Sequence, residues 1–122
     1  MRAHCLLLMT FLTPLPAWAE GRICKDEIQR GVASWYGPGF EGALTKSEEP
    51  FDPMGYSAAH PTLPLGTTLK VINLRNAKSV YVRVNDRGSF GSRRAIDLSE
   101  AAAAQIDMIH DGTTAVALFE CK

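Results

Sequence analysis

Residues 78–85 constrain this chain more than any other segment. Val80, Val82 and Val84 alternate with Tyr81, Arg83 and Asn85, so an extended backbone puts the valines on one face and the polar groups on the other. Residues 67–73 (Thr-Thr-Leu-Lys-Val-Ile-Asn) read as a second strand, and Arg75-Asn76-Ala77 turns one into the other. A hairpin with a single apolar face must bury that face against further strands.

The remaining signals supply those strands. Gly31-Val32-Ala33-Ser34-Trp35-Tyr36 reads as a strand ended by Gly37-Pro38-Gly39. Ala95-Ile96-Asp97-Leu98 and residues 113–119 read as two more, the latter with Val116 and Leu118 on one face. Ser99 suits the N-cap of a helix over residues 100–106, whose alanines join high helix propensity to room for close packing. Residues 37–55 hold four glycines and three prolines among polar groups, and are expected to form a long functional loop. Short strands, one helix and frequent turn signals point to a mainly β chain closed into a small barrel. No repeat, heptad or low-complexity tract is present, and the length suits one domain.

The N-terminus reads as an export signal. Met1-Arg2 gives a positive start, residues 5–15 are largely apolar, and Ala17-Trp18-Ala19 is a small-x-small cleavage site. The apolar run is too short for a transmembrane helix, and Cys5 is placed too early for a lipid anchor. The expected division is a signal peptide over 1–19, a polar arm over 20–29 and a barrel over 30–121. Cleavage removes Arg2 and leaves 12 basic against 13 acidic side chains, a formal charge of −1. That balance argues against nucleic acid or an anionic membrane as partner. Cleavage also leaves Cys24 and Cys121, near the two ends of the mature chain. In an oxidising periplasm they are expected to pair. A small core profits from such a staple.

Four segments in order resemble the rare lipoprotein A family: Gly31-Val32-Ala33-Ser34-Trp35-Tyr36-Gly37, Ser57-Ala58-Ala59-His60-Pro61-Thr62-Leu63-Pro64-Leu65-Gly66-Thr67, Val82-Arg83-Val84-Asn85-Asp86-Arg87-Gly88, and Ile96-Asp97-Leu98-Ser99 with its alanine-rich helix. Together they span about residues 31–119. The resemblance implies a six-stranded double-psi β-barrel, the fold of expansins and barwin-like proteins. It also implies a septal or cell-wall location and lytic transglycosylase activity on peptidoglycan, with a preference for glycan stripped of stem peptides. The sequence departs from the family pattern in having Ser89 where proline is usual and in a loosely matching segment over 48–54, and it is expected to carry neither a lipobox nor a C-terminal repeat domain. By the same resemblance, His60 and Asp86 are the catalytic pair.

The chemistry suits these residues. Glycosidases use two carboxyl groups, but a lytic transglycosylase manages with one, because the muramoyl 6-hydroxyl is an internal nucleophile. Asp86 can protonate the leaving oxygen and then accept the hydroxyl proton. His60, set extended by Pro61, is expected to orient Asp86 by a hydrogen bond or to polarise the substrate. An Arg87 guanidinium turned toward Asp86 would favour the charged carboxylate, so the scheme needs Arg87 to point away or to bind the glycan. Strand alternation sends Trp35 and Tyr36 to opposite faces, with Tyr36 the better candidate to line a cleft. Asp97 is expected to hold the barrel together or to cap the helix, although a second carboxylate near Asp86 would reopen hydrolysis. His60, His110, Asp86 and Asp97 show no metal-ligand spacing, so no metal or other cofactor is expected, and the domain is expected to be a monomer. Two alternatives stand beside the enzyme: a non-catalytic expansin- or barwin-like module that binds wall glycan, and a small secreted inhibitor.

Overall fold

The computed structural model describes residues 22–88 and 93–122. The expected signal peptide over 1–19, the arm residues Glu20 and Gly21, and Ser89 lie outside the described residues. Six strands form one closed barrel: β1 (Cys24–Trp35), β2 (Ser57–Ala59), β3 (Thr68–Asn73), β4 (Ser79–Asp86), β5 (Arg94–Leu98) and β6 (Thr114–Cys121). Their order around the barrel is β1-β5-β2-β4-β3-β6, and one helix, α1 (Glu100–Gln105), joins β5 to β6. This is the mainly β, six-stranded architecture with a short alanine-rich helix that the sequence predicts.

Alternation fills the interior. In the β3–β4 hairpin Leu69 faces Val82 and Val71 faces Val80, and all four are buried. Val84, Ile96, Leu98, Val116 and Leu118 complete the same core. The helix packs Ala102 and Ala103 into it, and Ser99 caps the helix by accepting the Ala102 N–H. Asn73 ties the far end of the helix down, donating from Nδ2 to the Ile106 carbonyl at 2.8 Å and accepting from Thr114 Oγ1 at 2.8 Å.

The pairs β1–β5 and β2–β4 are parallel; the other four neighbours are antiparallel. A parallel pair cannot be closed by a tight turn, so the connections must cross the barrel ends. The β1–β2 connection, residues 36–56, is the longest of them and lies beside the site described below. Close strand approach makes one glycine obligatory: a Cβ on Gly31 would stand 2.7 Å from the Ala95 Cβ.

Two elements differ from expectation. β1 begins at Cys24, so residues 24–29, read as an arm, pair with β6. That outer half is exposed on both faces, which leaves no apolar alternation to read. β2 is three buried small residues, too short to show a period.

Cys24 and Cys121 form the expected disulfide. Ile23 and Lys122 exchange backbone hydrogen bonds of 3.1 and 2.8 Å just outside it. Replacing both cysteines by alanine is expected to lower unfolding stability by up to roughly 4–5 kcal/mol, because the link closes nearly the whole domain. Denaturant titration checks this; a loss below about 1 kcal/mol would mean that the β1–β6 ladder holds the ends unaided.

Candidate active site

Asp86 is the last residue of β4, where the chain leaves the barrel core. Three donors converge on its carboxylate. The Lys46 and Arg87 backbone N–H groups both donate to Oδ1 at 2.9 Å, and the Tyr36 hydroxyl donates to Oδ2 at 2.6 Å. Tyr36 lies just past the end of β1, with its N–H on the Leu98 carbonyl. Its ring stacks on Phe51 at 4.3 Å between centroids and meets Phe40 edge-on at 5.5 Å. Burial first, then the hydrogen bond to Asp86 and the charges of Asp86 and Asp97, push the Tyr36 phenol well above its ordinary value, so it stays a donor.

The loop over 37–55 builds the other wall. It folds on itself through a Leu44–Pro50 bridge and a hydrogen bond from Thr45 Oγ1 to the Glu49 carbonyl. The Ser47 N–H reaches the Asn85 carbonyl and fixes the loop to β4, which aims the Lys46 N–H at Asp86. Glu49 is a residue the sequence reading passed over. Its Oε1 accepts from Asn85 Nδ2 at 2.9 Å and from Arg83 Nη2, and these donors hold its carboxyl below the usual range. Its signal was Arg83, a charge on the outer face of a strand that invites an acidic partner.

Loop and barrel enclose a cleft of about 500 Å³, lined by Trp35, Tyr36, Phe40, Leu44, Phe51, Asp86, Arg87, Arg94 and Asp97 among others. Trp35 and Tyr36 both line it, contrary to the alternation argument, because the strand ends at Trp35 and its period of two stops there. Asp97 lines the cleft as well. Its Oδ1 accepts from Ser34 Oγ at 2.5 Å and Arg94 Nη1 at 2.7 Å, which fastens β5 to β1; the helix cap falls to Ser99 instead. Ala59 of β2 pairs with Asp86 on one side and Asp97 on the other. A Cβ on Gly88 would lie 3.0 Å from the Ala59 Cβ and 3.2 Å from Asp97 Oδ2, so a side chain there would have to push both back by a few tenths of an ångström.

His60 does not make the expected side-chain bond to Asp86. His60 is 3 % exposed and its imidazole is committed elsewhere. Nδ1 accepts the N–H groups of Thr62 and Leu63, both at 3.1 Å, and Nε2 lies 2.8 Å from Gln29 Oε1. An Nδ1 that accepts twice leaves the proton on Nε2, so the ring is neutral and donates to Gln29. The link to Asp86 is through the backbone, from the His60 N–H to the Asp86 carbonyl at 3.1 Å. The turn after Pro61 explains this, since it delivers two amides onto the ring. The same turn holds Arg87, whose Nη1 donates to the carbonyls of His60 and Leu63 at 3.2 and 2.7 Å. Arg87 therefore points to the turn rather than to the Asp86 carboxylate. No group of three or more His, Cys, Asp or Glu among the described residues is gathered as a metal site.

A family model described as lytic transglycolase matches residues 28–118. The endolytic peptidoglycan transglycosylase RlpA of Campylobacter jejuni is 55 % identical over 96 residues, which cover 79 % of this chain and 35 % of that protein. Its namesake from Helicobacter pylori strain J99 is 52 % identical over 88 residues, 72 % of this chain and 28 % of the relative. The chain thus spans about a third or less of the length of these curated relatives. Among solved structures, the Streptomyces papain inhibitor aligns with a TM-score of 0.56 at 24 % identity, covering 76 % of this chain and 94 % of the inhibitor. An expansin of Clavibacter michiganensis in complex with cellohexaose aligns with a TM-score of 0.60 at 18 % identity, covering 76 % of this chain and 50 % of the expansin. These last two likenesses concern the fold, and with the family match they identify the barrel as double-psi.

Burial first, and the Arg87 charge second, lower the His60 pKa from its ordinary 6.5. The unfolded chain therefore takes up a proton that the folded one resists. Stability is full above pH 6.5 and falls as the pH drops below it toward the folded value. Thermal midpoints between pH 7.5 and 5 are expected to fall in the native chain and to flatten in His60→Gln, which is also less stable throughout by about 1–3 kcal/mol. Equal slopes in the two proteins would remove His60 as the cause.

Proposed function

Because the chain belongs to the lytic transglycolase family, we propose that it is an endolytic transglycosylase of the bacterial cell wall. It cuts the glycan strand between N-acetylmuramoyl and N-acetylglucosaminyl units and leaves 1,6-anhydromuramoyl ends. The observation that carries this reading is the Asp86 carboxyl, held by three hydrogen bonds in an aromatic-walled cleft.

In its acid form Asp86 gives a proton to the glycosidic oxygen as the bond from that oxygen to the muramoyl C1 opens. The carboxylate left behind takes the proton of the muramoyl 6-hydroxyl as O6 bonds to the same C1. Asp86 ends protonated, no water is consumed, and the nucleophile needs no separate binding step. The Tyr36 hydroxyl serves both states, since a phenol donates to a carboxylate and accepts from an acid. Trp35, Tyr36 and Phe40 offer apolar faces to the sugar rings. His60 acts here as a positioning residue: it shapes the turn that holds Arg87. Asp97, paired with Arg94, keeps its structural role. The same reading includes export to the periplasm or wall, where the disulfide is stable, and a preference for glycan without stem peptides.

The exposed Phe40 and the stacked Tyr36–Phe51 pair would serve sugar binding without cleavage equally well. They favour, as second reading, a non-catalytic expansin- or barwin-like wall module. Incubation of the purified domain with denuded glycan, followed by mass spectrometry for 1,6-anhydromuramoyl ends, separates the two. Product is expected from the native chain and none from Asp86→Asn, with an unchanged circular dichroism spectrum. Full activity in a folded Asp86→Asn protein would overturn the assignment. Tyr36→Phe is expected to lower turnover by about tenfold to a hundredfold, the scale of a misplaced catalytic group, with little change in KM; an unaltered rate would reduce Tyr36 to a wall of the cleft.

A further inference from the structure

Two arginines beside the site are matched with carboxylates. Arg94 pairs with Asp97 and Arg83 with Glu49. Arg87 lines the same cleft as Asp86, yet among the described residues its guanidinium contacts two carbonyl oxygens and no carboxylate. A half-buried cation satisfied only by neutral acceptors gains most when an anion arrives. The turn over 60–63 holds Nη1, so the group is positioned in advance and little side-chain freedom is lost on binding.

We infer that Arg87 is the specificity residue of the cleft and reads the free lactyl carboxylate of the muramoyl unit. This rests on the transglycosylase reading and gives it a chemical discriminator. That carboxylate is the anionic group of a bare peptidoglycan strand, and it sits on the sugar whose C1 and 6-hydroxyl react. When a stem peptide is attached, the carboxylate becomes an amide. Its charge disappears and bulk takes its place, so a guanidinium at this position selects stripped strands. Asp97, the other carboxylate that lines the cleft beside Asp86, is paired with Arg94. Arginine suits the task because its planar fork matches a carboxylate.

The test uses the full chain carrying Asp86→Asn, so that binding is measured without cleavage. The probes are denuded glycan strands, the same strands with their lactyl carboxylates converted to methylamides, and chitohexaose, which has no carboxylate. Calorimetry is expected to show binding to native strands about tenfold tighter than to amidated strands or chitohexaose, the scale of one charge-assisted contact. Adding Arg87→Gln is expected to erase that difference by weakening the native strand alone, and Arg87→Lys to restore part of it. The backbone N–H of residue 87, which holds Asp86, is present in all of these variants. Equal binding of native and amidated strands by the Arg87-containing protein overturns the inference and needs no variant at position 87. So does a preference that survives Arg87→Gln, or an equal loss for all three probes, which is what a purely structural clamp would produce. Anhydro-sugar formation by the native chain is scored separately, so failure of the activity and failure of carboxylate reading are distinct results.

Discussion

The molecule depends on a strand of three residues. β2 is hydrogen-bonded on both sides, parallel to β4 and antiparallel to β5, and without it the sheet would not close. Its residues, Ser57, Ala58 and Ala59, are small and buried, which lets the strands on either side approach. Adjacent strands stand about 4.8 Å apart. Asp86 and Asp97, both in register with Ala59, therefore sit on the two strands that flank β2. The Ala59 Cβ and Asp97 Oδ2 both close in on the bare backbone of Gly88. Barrel closure and the spacing of the carboxylates are thus one constraint.

The polar chemistry is divided between two loops with different tasks. The loop over 37–55 brings a backbone amide to Asp86 and stacks Phe51 on Tyr36, so it fixes the position of the carboxylate. The turn over 60–63 is organised by a neutral buried imidazole and holds a cation. Tyr36, rather than His60, meets the Asp86 carboxylate. The histidine acts two steps away, by deciding where carbonyl groups point. Such a role needs the ring neutral, and burial keeps it so.

Much of this was legible in the sequence, because periodicity reports burial. β3, β4, β5, β6 and the Ser99-capped helix could be read residue by residue, since each has one face in the core. The outer half of β1 could not, because water lies on both sides of it, and β2 could not, because three residues carry no period. At the site, Asp86 and Arg87 stood out as polar groups at a strand end beside a glycine. Their partners did not. The Lys46 contribution is a main-chain N–H that any residue would supply, and the pairing of Tyr36 with Asp86 joins positions 50 residues apart. Of the two roles expected for His60, the side-chain bond to Asp86 is not made, for a local reason: the amides of Thr62 and Leu63 take the ring from two and three residues away.

The two ends of the described domain leave the barrel side by side, where Ile23 pairs with Lys122 and Cys24 is bonded to Cys121. A pull applied through flanking chain would pass from one end to the other across the sulfur–sulfur bond. The strands between would carry almost none of it. Such a domain can be held under tension while its cleft keeps its shape.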